Sequence, residues 1–289
     1  MTTEAVIIEV AVNGPTSKRR NPHVPISIEE IAQEALELLA AGASIVHQHD
    51  ADGATSAERT AEQSLATYER VLGERPDALL YPTATFLDPM TERWGHHELL
   101  AKAGVIRMAF VDPGSVNLGR TAIGNRKPPS AFVYSNSLAD VDYKFERCRE
   151  LGLGPSMAIF EPGFLRVALE YAQAGRMPAG SLTKFYFGGG GAFLFGLPPR
   201  EAALDLYHSL IEDSGLPWAA AVLGGDCVES GMAGWAVERG GHIRVGLEDY
   251  AGEETPTNLE LLARATQVVE TAGKRVATPA ETAEILGLP

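Results

Sequence analysis

Two histidines separated by one residue, His47 and His49, are the side chains in this sequence best suited to chemistry. They follow the apolar run 42–46, which is typical of a short buried β-strand. Side chains two positions apart on a strand point to the same side, so both imidazoles project together from the strand end. Such a pair supplies half of a zinc site. Two histidines also share a strand face by chance, so a metal site requires a further ligand from elsewhere in the chain.

A second group of polar side chains lies in the segment 242–249. Period-two alternation places Arg244 and Glu248 on one side of this strand and apolar residues on the other. The apolar side suits packing against helices, which leaves the arginine and the glutamate facing the interior of the fold. Because buried charges are costly unless they are paired, we expect partners for both.

Apolar strand-like segments alternate with amphipathic helix-like segments along most of the chain. Strands are predicted over residues 5–12, 44–49, 78–82, 106–111, 156–160, 182–187, 218–223 and 242–247. Helices are predicted over 27–41, 57–72, 91–103, 140–151, 163–174, 199–214 and 227–239. This alternation predicts a parallel sheet covered by helices. Eight such units match the size of a TIM (β/α)8 barrel.

We therefore predict that residues 1–289 form a single (β/α)8 barrel domain. Residues 256–289 would add a C-terminal helical extension, with one long helix and one short helix. An open doubly wound sheet is the alternative fold. That fold usually has a glycine-rich phosphate turn after its first strand, which the turn 12–17 lacks. Within the first helix, Ser27 and Glu30 have the spacing of a capping box.

Barrel geometry gives the histidine pair its third ligand. The last strand of a TIM barrel closes onto the first, and interior layers are built from alternate strands. Glu248 can therefore meet His47 and His49 across the first strand. Two histidines and one carboxylate with an open fourth position form a catalytic zinc set. In the alternative interpretation Glu248 only pairs with Arg244, and the histidines are ordinary polar residues.

Other polar residues also follow predicted strands, where TIM barrels place their active sites. Asp249 follows Glu248 directly and is either a catalytic base or the cap of the next turn. Hydroxyl and amide groups near a metal suit a carboxylate or carbonyl substrate. The candidates for substrate binding are Thr83, Thr85, Ser115, Asn117 and Glu161.

Two glycine-containing stretches have both structural and functional interpretations. The run Gly188–Gly191 follows the sixth predicted strand and can present backbone amides to a ligand or simply form a bend. The irregular stretch 113–137 is too long for a simple turn, so we expect an ordered loop over one barrel end. That loop would either cover the substrate as a lid or only pack against the barrel.

The composition limits the classes of partner. The chain has 289 residues and a net charge of -14, which disfavours nucleic acid and acidic membranes as partners. Its two cysteines are far apart, so no disulfide framework is expected. We find neither a signal-peptide pattern nor an apolar run of transmembrane length. A cytoplasmic protein is therefore expected.

These motifs together resemble the β-keto acid cleavage enzyme family. The resemblance runs through most of the chain, and its most specific parts are the HxH segment and the later GGHxRVGxED segment. The segments that carry it are Asn21-Pro22 with Pro25, 41–49, Asp52-Gly53, 111–119, 240–249 and Asn258.

The resemblance implies a zinc-dependent TIM-barrel enzyme that is usually a homo-oligomer, here a dimer or tetramer. The family condenses a β-keto acid with acetyl-CoA, transfers CoA and cleaves a carbon–carbon bond. The products are acetoacetate and a new acyl-CoA. Zinc would be held by His47, His49 and Glu248, and it would polarise the keto group.

The resemblance also implies roles for residues around the metal. Asp249 would be the general base that removes a proton next to the carbonyl group. Arg244 would stabilise the negative charge that develops and bind the substrate carboxylate. Thr83 and Ser115 fall where the family uses hydroxyl groups to hold that carboxylate.

The sequence departs from the family pattern at four places. An arginine often follows the second histidine, but residues 50–52 read Asp-Ala-Asp. The type member uses a glutamate after the first strand to hold the amine of its substrate. Here the corresponding turn is one residue shorter and offers Thr16 for substrate binding, so an amino-keto acid is not expected. Ala158 replaces an acidic residue that supports the base, and Glu161 is the candidate to compensate. The run Gly188–Gly191 replaces an aliphatic-glycine turn.

Two other functions remain open from the sequence. The first is a zinc hydrolase of the amidohydrolase or lactonase kind, which usually has further histidine ligands on the fifth and sixth strands. None of the remaining histidines lies at the end of either strand. The second is a catalytically inactive ligand-binding homologue, suggested by Asp50 and Ala158.

Overall fold

The computed structural model describes residues 4–50, 54–118, 132–189 and 193–289. Its strands are β1 (Ala5–Val6), β2 (Ile8–Ala11), β3 (Ile45–Gln48), β4 (Leu80–Pro82), β5 (Met108–Phe110), β6 (Gly154–Ile159), β7 (Leu182–Gly188), β8 (Trp218–Leu223), β9 (His242–Val245) and β10 (Arg275–Val276). Strands β2 to β9 form one parallel sheet in the order β4-β3-β2-β9-β8-β7-β6-β5. The two end strands, β4 and β5, pack side by side, so the sheet is nearly closed. The predicted TIM barrel is confirmed.

Helices follow the barrel strands and cover the sheet. They are α1 (Ile28–Ala40), α2 (Ala57–Glu74), α3 (Met90–Lys102), α4 (Leu138–Leu151), α5 (Pro162–Gln173), α6 (Glu201–Ile211), α7 (Met232–Glu238), α8 (Asn258–Thr271) and α9 (Pro279–Leu286). The capping box predicted for the first helix is present, since Glu30 N donates to Ser27 Oγ and Ser27 N donates to the Glu30 carboxylate. Across the described ranges, no helix has the length and apolar character needed to cross a membrane.

The first predicted strand, 5–12, is divided into two strands at Ile7. The Ile7 amide donates to Nδ1 of His242 at 3.2 Å. The two residues before it pair with β10 and lie outside the barrel sheet, whereas β2 pairs with β3 and β9. The C-terminal extension contains the predicted long helix, α8, and the predicted short helix, α9, and the two-residue strand β10 lies between them.

The seventh predicted helix begins later than residue 227. The Asp226 carboxylate accepts hydrogen bonds from the amides of Val228 and Glu229, at 2.7 and 3.1 Å. These bonds form a turn before the helix begins. Helix α7 then starts after Gly231, whose φ of 84° suits a residue without a side chain.

The strand register places several polar side chains at neighbouring positions of the barrel. His47 lies beside Ala11 of β2 and Tyr81 of β4. Glu9 of β2 lies beside Arg244 of β9. Because parallel strands end on the same face, the residues that follow β3 and β9 are brought to one opening of the barrel.

Candidate metal centre and adjoining cavities

His47, His49 and Glu248 lie together at the carboxyl ends of β3 and β9. Nε2 of His47 is 3.4 Å from Oε2 of Glu248, and Nε2 of His49 is 3.3 Å from Oε1. One possible ligand atom from each residue falls within 4.8 Å of the others. These are the types and number of ligands found in a catalytic zinc site that keeps an open position.

The orientation of His47 suits a metal ligand. Its Nδ1 lies 3.2 Å from the carbonyl oxygen of Tyr81, which fixes the ring when Nδ1 carries the proton. Nε2 then faces Glu248 with its lone pair free. Burial lowers the pKa of His47 to about 3, although the Glu248 carboxylate opposes that shift. The neutral imidazole is the form that binds metal ions.

Gln48 lies between the two histidines in sequence and points away from them. Its Nε2 is 3.4 Å from the Asp50 carboxylate, which also accepts a hydrogen bond from Ser64 of α2 at 2.8 Å. Asp50 is therefore held at the helix layer, and burial raises its pKa to about 6. Residues 51–52, the rest of this departure from the family pattern, lie outside the described residues.

Arg244 connects three carboxylates beneath the candidate metal centre. Its Nε donates to Oδ2 of Asp249 at 2.8 Å, and its Nη1 donates to Oε1 of Glu9 at 2.6 Å. Its Nη2 lies 3.1 Å from Oε2 of Glu248. The side chain is only 1% exposed. The partners expected for a buried arginine are therefore present, and Glu248 contacts both the arginine and the histidines.

The floor of the barrel contains charged and polar residues that the sequence analysis did not identify. Glu9 accepts hydrogen bonds from Lys184 at 3.1 Å and from Tyr81 at 2.7 Å. Burial by itself raises the pKa of Glu9, but the Lys184 and Arg244 charges lower it to about 2. A glutamate and a lysine inside otherwise apolar strands were the available signals. Neither the partner of each residue nor its position in the lumen can be read from one strand.

A cavity of about 310 Å³ opens above this floor. His47, His49, Glu248 and Arg244 line its inner end. Its wall is largely apolar and aromatic, formed by Phe86, Phe110, Leu118, Phe132, Tyr134, Phe160, Tyr186, Phe193 and Leu223. We call this space the inner cavity.

A second cavity, of about 390 Å³, adjoins the first, and we call it the outer cavity. Its lining includes Asp249 together with Thr16, Ser17, Arg20 and Tyr250. The two cavities share Pro15, Leu118, Phe193, Leu223 and Glu248 as lining residues. Asp249 therefore lies beside the junction of the two spaces.

The predicted substrate-binding threonines occupy different places. Thr83 lines the inner cavity. Thr85 is buried, and its hydroxyl donates to the carbonyl oxygen of Arg93 at 2.9 Å. Thr16 donates to the carbonyl oxygen of Leu247 at 2.8 Å and lines the outer cavity. Only Thr83 of these three thus lies where it can contact a molecule in the inner cavity.

The other predicted substrate-binding residues do not line the described part of the inner cavity. The Ser115 hydroxyl donates to the carbonyl oxygen of Asn136 at 3.0 Å and accepts from the amide of the same residue. Asn117 is exposed. The Glu161 carboxylate accepts from the amide of Gly196 at 2.8 Å. Ser115 and Glu161 therefore hold loop backbone in this structure, because nearby amides and carbonyls satisfy their polar groups.

A different carboxylate lies next to Ala158. The Ala158 amide donates to Oδ1 of Asp112 at 3.1 Å, and the Tyr134 hydroxyl donates to Oδ2 at 2.8 Å. Asp112 lines the inner cavity, and burial raises its pKa. The carboxylate nearest this departure is thus Asp112 of the neighbouring strand end and not Glu161.

The glycine run is described only in part. Gly188 ends β7, and the Gly189 amide donates to Leu223 O at 2.9 Å. A Cβ atom at Gly189 would lie 2.8 Å from the Gly224 carbonyl oxygen, so close packing requires glycine there. Gly190 and Gly191 lie outside the described residues, as do residues 119–131 of the predicted loop.

A model of the beta-keto acid cleavage enzyme family matches residues 5–288. This match spans nearly the whole chain. The protein belongs to the beta-keto acid cleavage enzyme family. The predicted family and the predicted carbon–carbon bond-cleaving enzyme class are thereby confirmed.

Relatives with nearly full-length similarity support this membership. The chain is 29% identical to a 3-keto-5-aminohexanoate cleavage enzyme of Fusobacterium nucleatum subsp. nucleatum, over 99% of this chain and 98% of the relative. It is 28% identical to a 3-oxoadipate:acetyl-CoA acetyltransferase of Cupriavidus necator, over 99% and 96%. A solved ternary complex of ObcA with a C4-CoA adduct and oxalate has a similar fold. The TM-score is 0.69 at 16% identity, with 92% of this chain and 68% of that chain covered.

Proposed function

We propose that this family member is a zinc-dependent enzyme that condenses a β-keto acid with acetyl-CoA and releases acetoacetate and a new acyl-CoA. The observation that carries the proposal is the cluster of His47, His49 and Glu248 at the inner end of a substrate-sized cavity. The names of two relatives support acetyl-CoA as the co-substrate, since they are an acetyl-CoA acetyltransferase and an acetyl-CoA trimethylamine transferase.

The residues present fit a zinc ion. Oε2 of Glu248 is buried and makes no well-directed hydrogen bond, although Arg244 and His47 lie close to it. A cation held by His47, His49 and Glu248 would satisfy this oxygen. When bound, zinc polarises a keto oxygen and so makes the adjacent carbon more acidic.

Asp249 is the proposed general base, and Arg244 is the cation that positions it. Asp249 accepts the proton from the carbon between the ketone and the carboxylate of the substrate. Arg244 holds Asp249 in place through two hydrogen bonds, at 2.8 and 3.3 Å. Burial raises the pKa of Asp249, which strengthens it as a base, while the arginine opposes that shift.

The condensation then joins the two substrates, and a later step cleaves the joined molecule at a different carbon–carbon bond. The deprotonated carbon attacks the thioester carbonyl of acetyl-CoA, and CoA leaves as the thiolate. That thiolate attacks the original ketone, and the bond between this ketone and the central carbon breaks. The central carbon, now bearing the acetyl group, regains a proton as acetoacetate. The original acyl group leaves as acyl-CoA.

The wall of the inner cavity favours an uncharged, apolar acyl group on the substrate. Phe86, Phe160 and Phe193 line this wall. His47, His49, Glu248 and Arg244 lie instead at the inner end, where the substrate carboxylate can meet Arg244 and the Thr83 hydroxyl. The Asp112 carboxylate also lines the cavity, but it already accepts hydrogen bonds from Tyr134 and Ala158. An ammonium group at the far end of the substrate would lose its hydration against aromatic rings.

The direct test is product formation by the purified protein loaded with zinc. We expect 3-oxohexanoate and acetyl-CoA to give acetoacetate and butyryl-CoA. Asp249→Asn should keep its zinc and lose turnover, because it retains the shape of the residue without the base. Stoichiometric zinc with no turnover of any β-keto acid would contradict the proposal and favour an inactive homologue. Product formation from a lactone or amide without CoA would instead indicate the zinc-hydrolase alternative.

A further inference from the structure

The outer cavity is lined by an arginine, Arg20, that has no role in the proposed reaction. Arg20 lines this cavity together with Glu248 and Asp249. It also lines a neighbouring space of about 200 Å³, so its side chain stands where two surface cavities meet. Arg20 is exposed. Within residues 4–50, 54–118, 132–189 and 193–289, no carboxylate pairs with it.

Among the described arginines, Arg20 shares the absence of a carboxylate partner with Arg19, Arg166 and Arg200, but of these four only Arg20 lines the outer cavity. Elsewhere Arg147, Arg176, Arg239 and Arg264 each contact acidic side chains. The chain as a whole carries a net charge of -14, which provides many possible partners. An arginine that remains unpaired beside a cavity is available for an anionic ligand.

The sequence around Arg20 concentrates positive charge. Residues 18–20 read Lys-Arg-Arg, the only run of three basic residues in the sequence. Lys18 pairs with Glu30, whereas Arg19 and Arg20 are exposed. Glu253 and Glu254 line the neighbouring space with Arg20, whereas Arg20 is the basic residue among the described lining residues of the outer cavity.

The loop that carries Arg20 is anchored to the barrel. Thr16 donates to the carbonyl oxygen of Leu247, next to the metal-ligand candidate Glu248. Nδ2 of Asn21 donates to the carbonyl oxygen of Pro256 at 2.8 Å. The backbone amides of Arg20 and Asn21 both donate to Ser17 O, at 2.8 and 3.1 Å. The guanidinium is therefore presented from a fixed turn.

We propose that the outer cavity receives the CoA thioester and that Arg20 binds its phosphate groups. This inference rests on the proposed function, because it identifies the subsite of the acetyl-CoA co-substrate. The thioester end would lie at Glu248 and Asp249, where the two cavities meet. The uncharged pantetheine arm would pass along Pro15, Leu118 and Leu223, which are apolar. The phosphates would then meet Arg20 where the outer cavity adjoins the neighbouring space.

The test compares acetyl-CoA with acetyl-pantetheine, which has the same thioester and arm but lacks the phosphorylated nucleotide. For Arg20→Gln we expect KM for acetyl-CoA to rise about tenfold at low ionic strength, with kcat and KM for the keto acid unchanged. Added salt should reduce the difference between wild type and variant, because an exposed charge is screened. Acetyl-pantetheine should show equal kinetics for both proteins.

Arg166→Gln is the matched control. Arg166 is an exposed arginine of α5 and is absent from the described linings of both cavities, so its loss changes net charge alone. Equal KM for acetyl-CoA in Arg20→Gln and Arg166→Gln would overturn the inference, as would an equal rise with acetyl-pantetheine.

Calorimetric titration with CoA and with pantetheine separates this inference from the proposed function. If wild type turns over no keto acid, the proposed function fails, yet CoA binding still tests Arg20. CoA binding by wild type that weakens about tenfold in Arg20→Gln, with no change for pantetheine, supports the phosphate site. Failure of wild type to bind CoA, or binding unaffected by Arg20→Gln, would exclude it.

Discussion

The two cavities that meet at Glu248 have walls of different chemistry. The inner cavity is bounded by aromatic rings above a floor of paired charges, and the histidines lie at its inner end. The outer cavity has hydroxyl groups, a tyrosine and Arg20 along its wall. This difference indicates that each space accommodates a different reactant, an apolar acid in the first and a polar thioester in the second. Asp249 and Glu248, beside the junction, would then serve both reactants.

The largest expected effect comes from Glu248, the candidate metal ligand that lines both cavities. Glu248→Gln should lose bound zinc and reduce kcat by about a thousandfold or more, since a metal contributes several kcal/mol to charge stabilisation. Metal analysis and steady-state kinetics measure the two losses. Glu161→Gln is the matched control, because that carboxylate holds the Gly196 amide, and it should keep a full complement of zinc. Unchanged zinc in Glu248→Gln would refute the ligand assignment.

The paired charges at the floor of the inner cavity are expected to stabilise the folded protein. Glu9→Gln leaves Lys184 and Arg244 without their shared carboxylate. We expect the free energy of unfolding to fall by about 3 kcal/mol at pH 7. Chemical denaturation measures this change. Glu212→Gln is the control, because that exposed glutamate lies 3.8 Å from His208 and should change stability by less than about 0.5 kcal/mol.

The same substitution predicts a pH dependence. The pKa of Glu9 is lowered from 4.5 to about 2, so its ionisation favours the folded state. This contribution is fully present above pH 4.5 and disappears as the pH falls through about 2. The stability difference between wild type and Glu9→Gln should therefore shrink below pH 4.5. A difference that stays constant down to pH 2 would contradict the lowered pKa.

The aromatic wall predicts discrimination between substrates. We expect kcat/KM for 3-oxohexanoate to exceed that for 5-amino-3-oxohexanoate by about a hundredfold, because the ammonium group would lose its hydration against aromatic rings and the Asp112 carboxylate already accepts a hydrogen bond from Tyr134. Competition between the two acids at a fixed concentration of acetyl-CoA measures the ratio. Equal use of both acids would show that the amino group remains in water and that the aromatic wall does not select the acyl chain.

The smallest expected effect concerns the mouth of the inner cavity. Phe86 is 65% exposed and packs edge-to-face on Phe132, with ring centroids 5.3 Å apart. Phe86→Ala should raise KM for an apolar keto acid by about two- to tenfold, given the strength of aromatic contacts. KM for acetyl-CoA should not change, which is the reverse of the pattern expected for Arg20→Gln. A rise in both KM values would show that the cavities do not separate the two reactants.

Much of the fold follows from local patterns in the sequence. Alternating strand and helix signals predicted the barrel, and each barrel strand lies within a predicted segment or overlaps one. Period-two alternation placed Arg244 and Glu248 on the interior side, which agrees with their contacts to Glu9 and His47. The division at Ile7 was missed because it depends on pairing between β1 and β10, which are far apart in the chain.

The predicted substrate-binding residues illustrate the limit of such patterns. Position after a strand end identified Thr83, which lines the inner cavity, and equally identified Ser115 and Glu161, which do not. The hydroxyl of Ser115 is satisfied by Asn136, and the carboxylate of Glu161 by Gly196. Those partners lie on separate loops, so residue type and location could not distinguish the cases. The metal identity, the homo-oligomer and the cytoplasmic location stay predictions.

The sequence by itself determined the family through its motifs. It also determined the barrel and the grouping of His47, His49 and Glu248, because strand periodicity and barrel closure fix which side chains share an opening. Tertiary structure alone decided how the charges are balanced. Arg244 and Glu9 form an ion pair across 235 residues of sequence, and Lys184 joins it from a third strand. The cavities are likewise formed by loops from distant parts of the chain. The physical reason is that charge pairing and cavity shape depend on distances in space, which local sequence patterns do not specify.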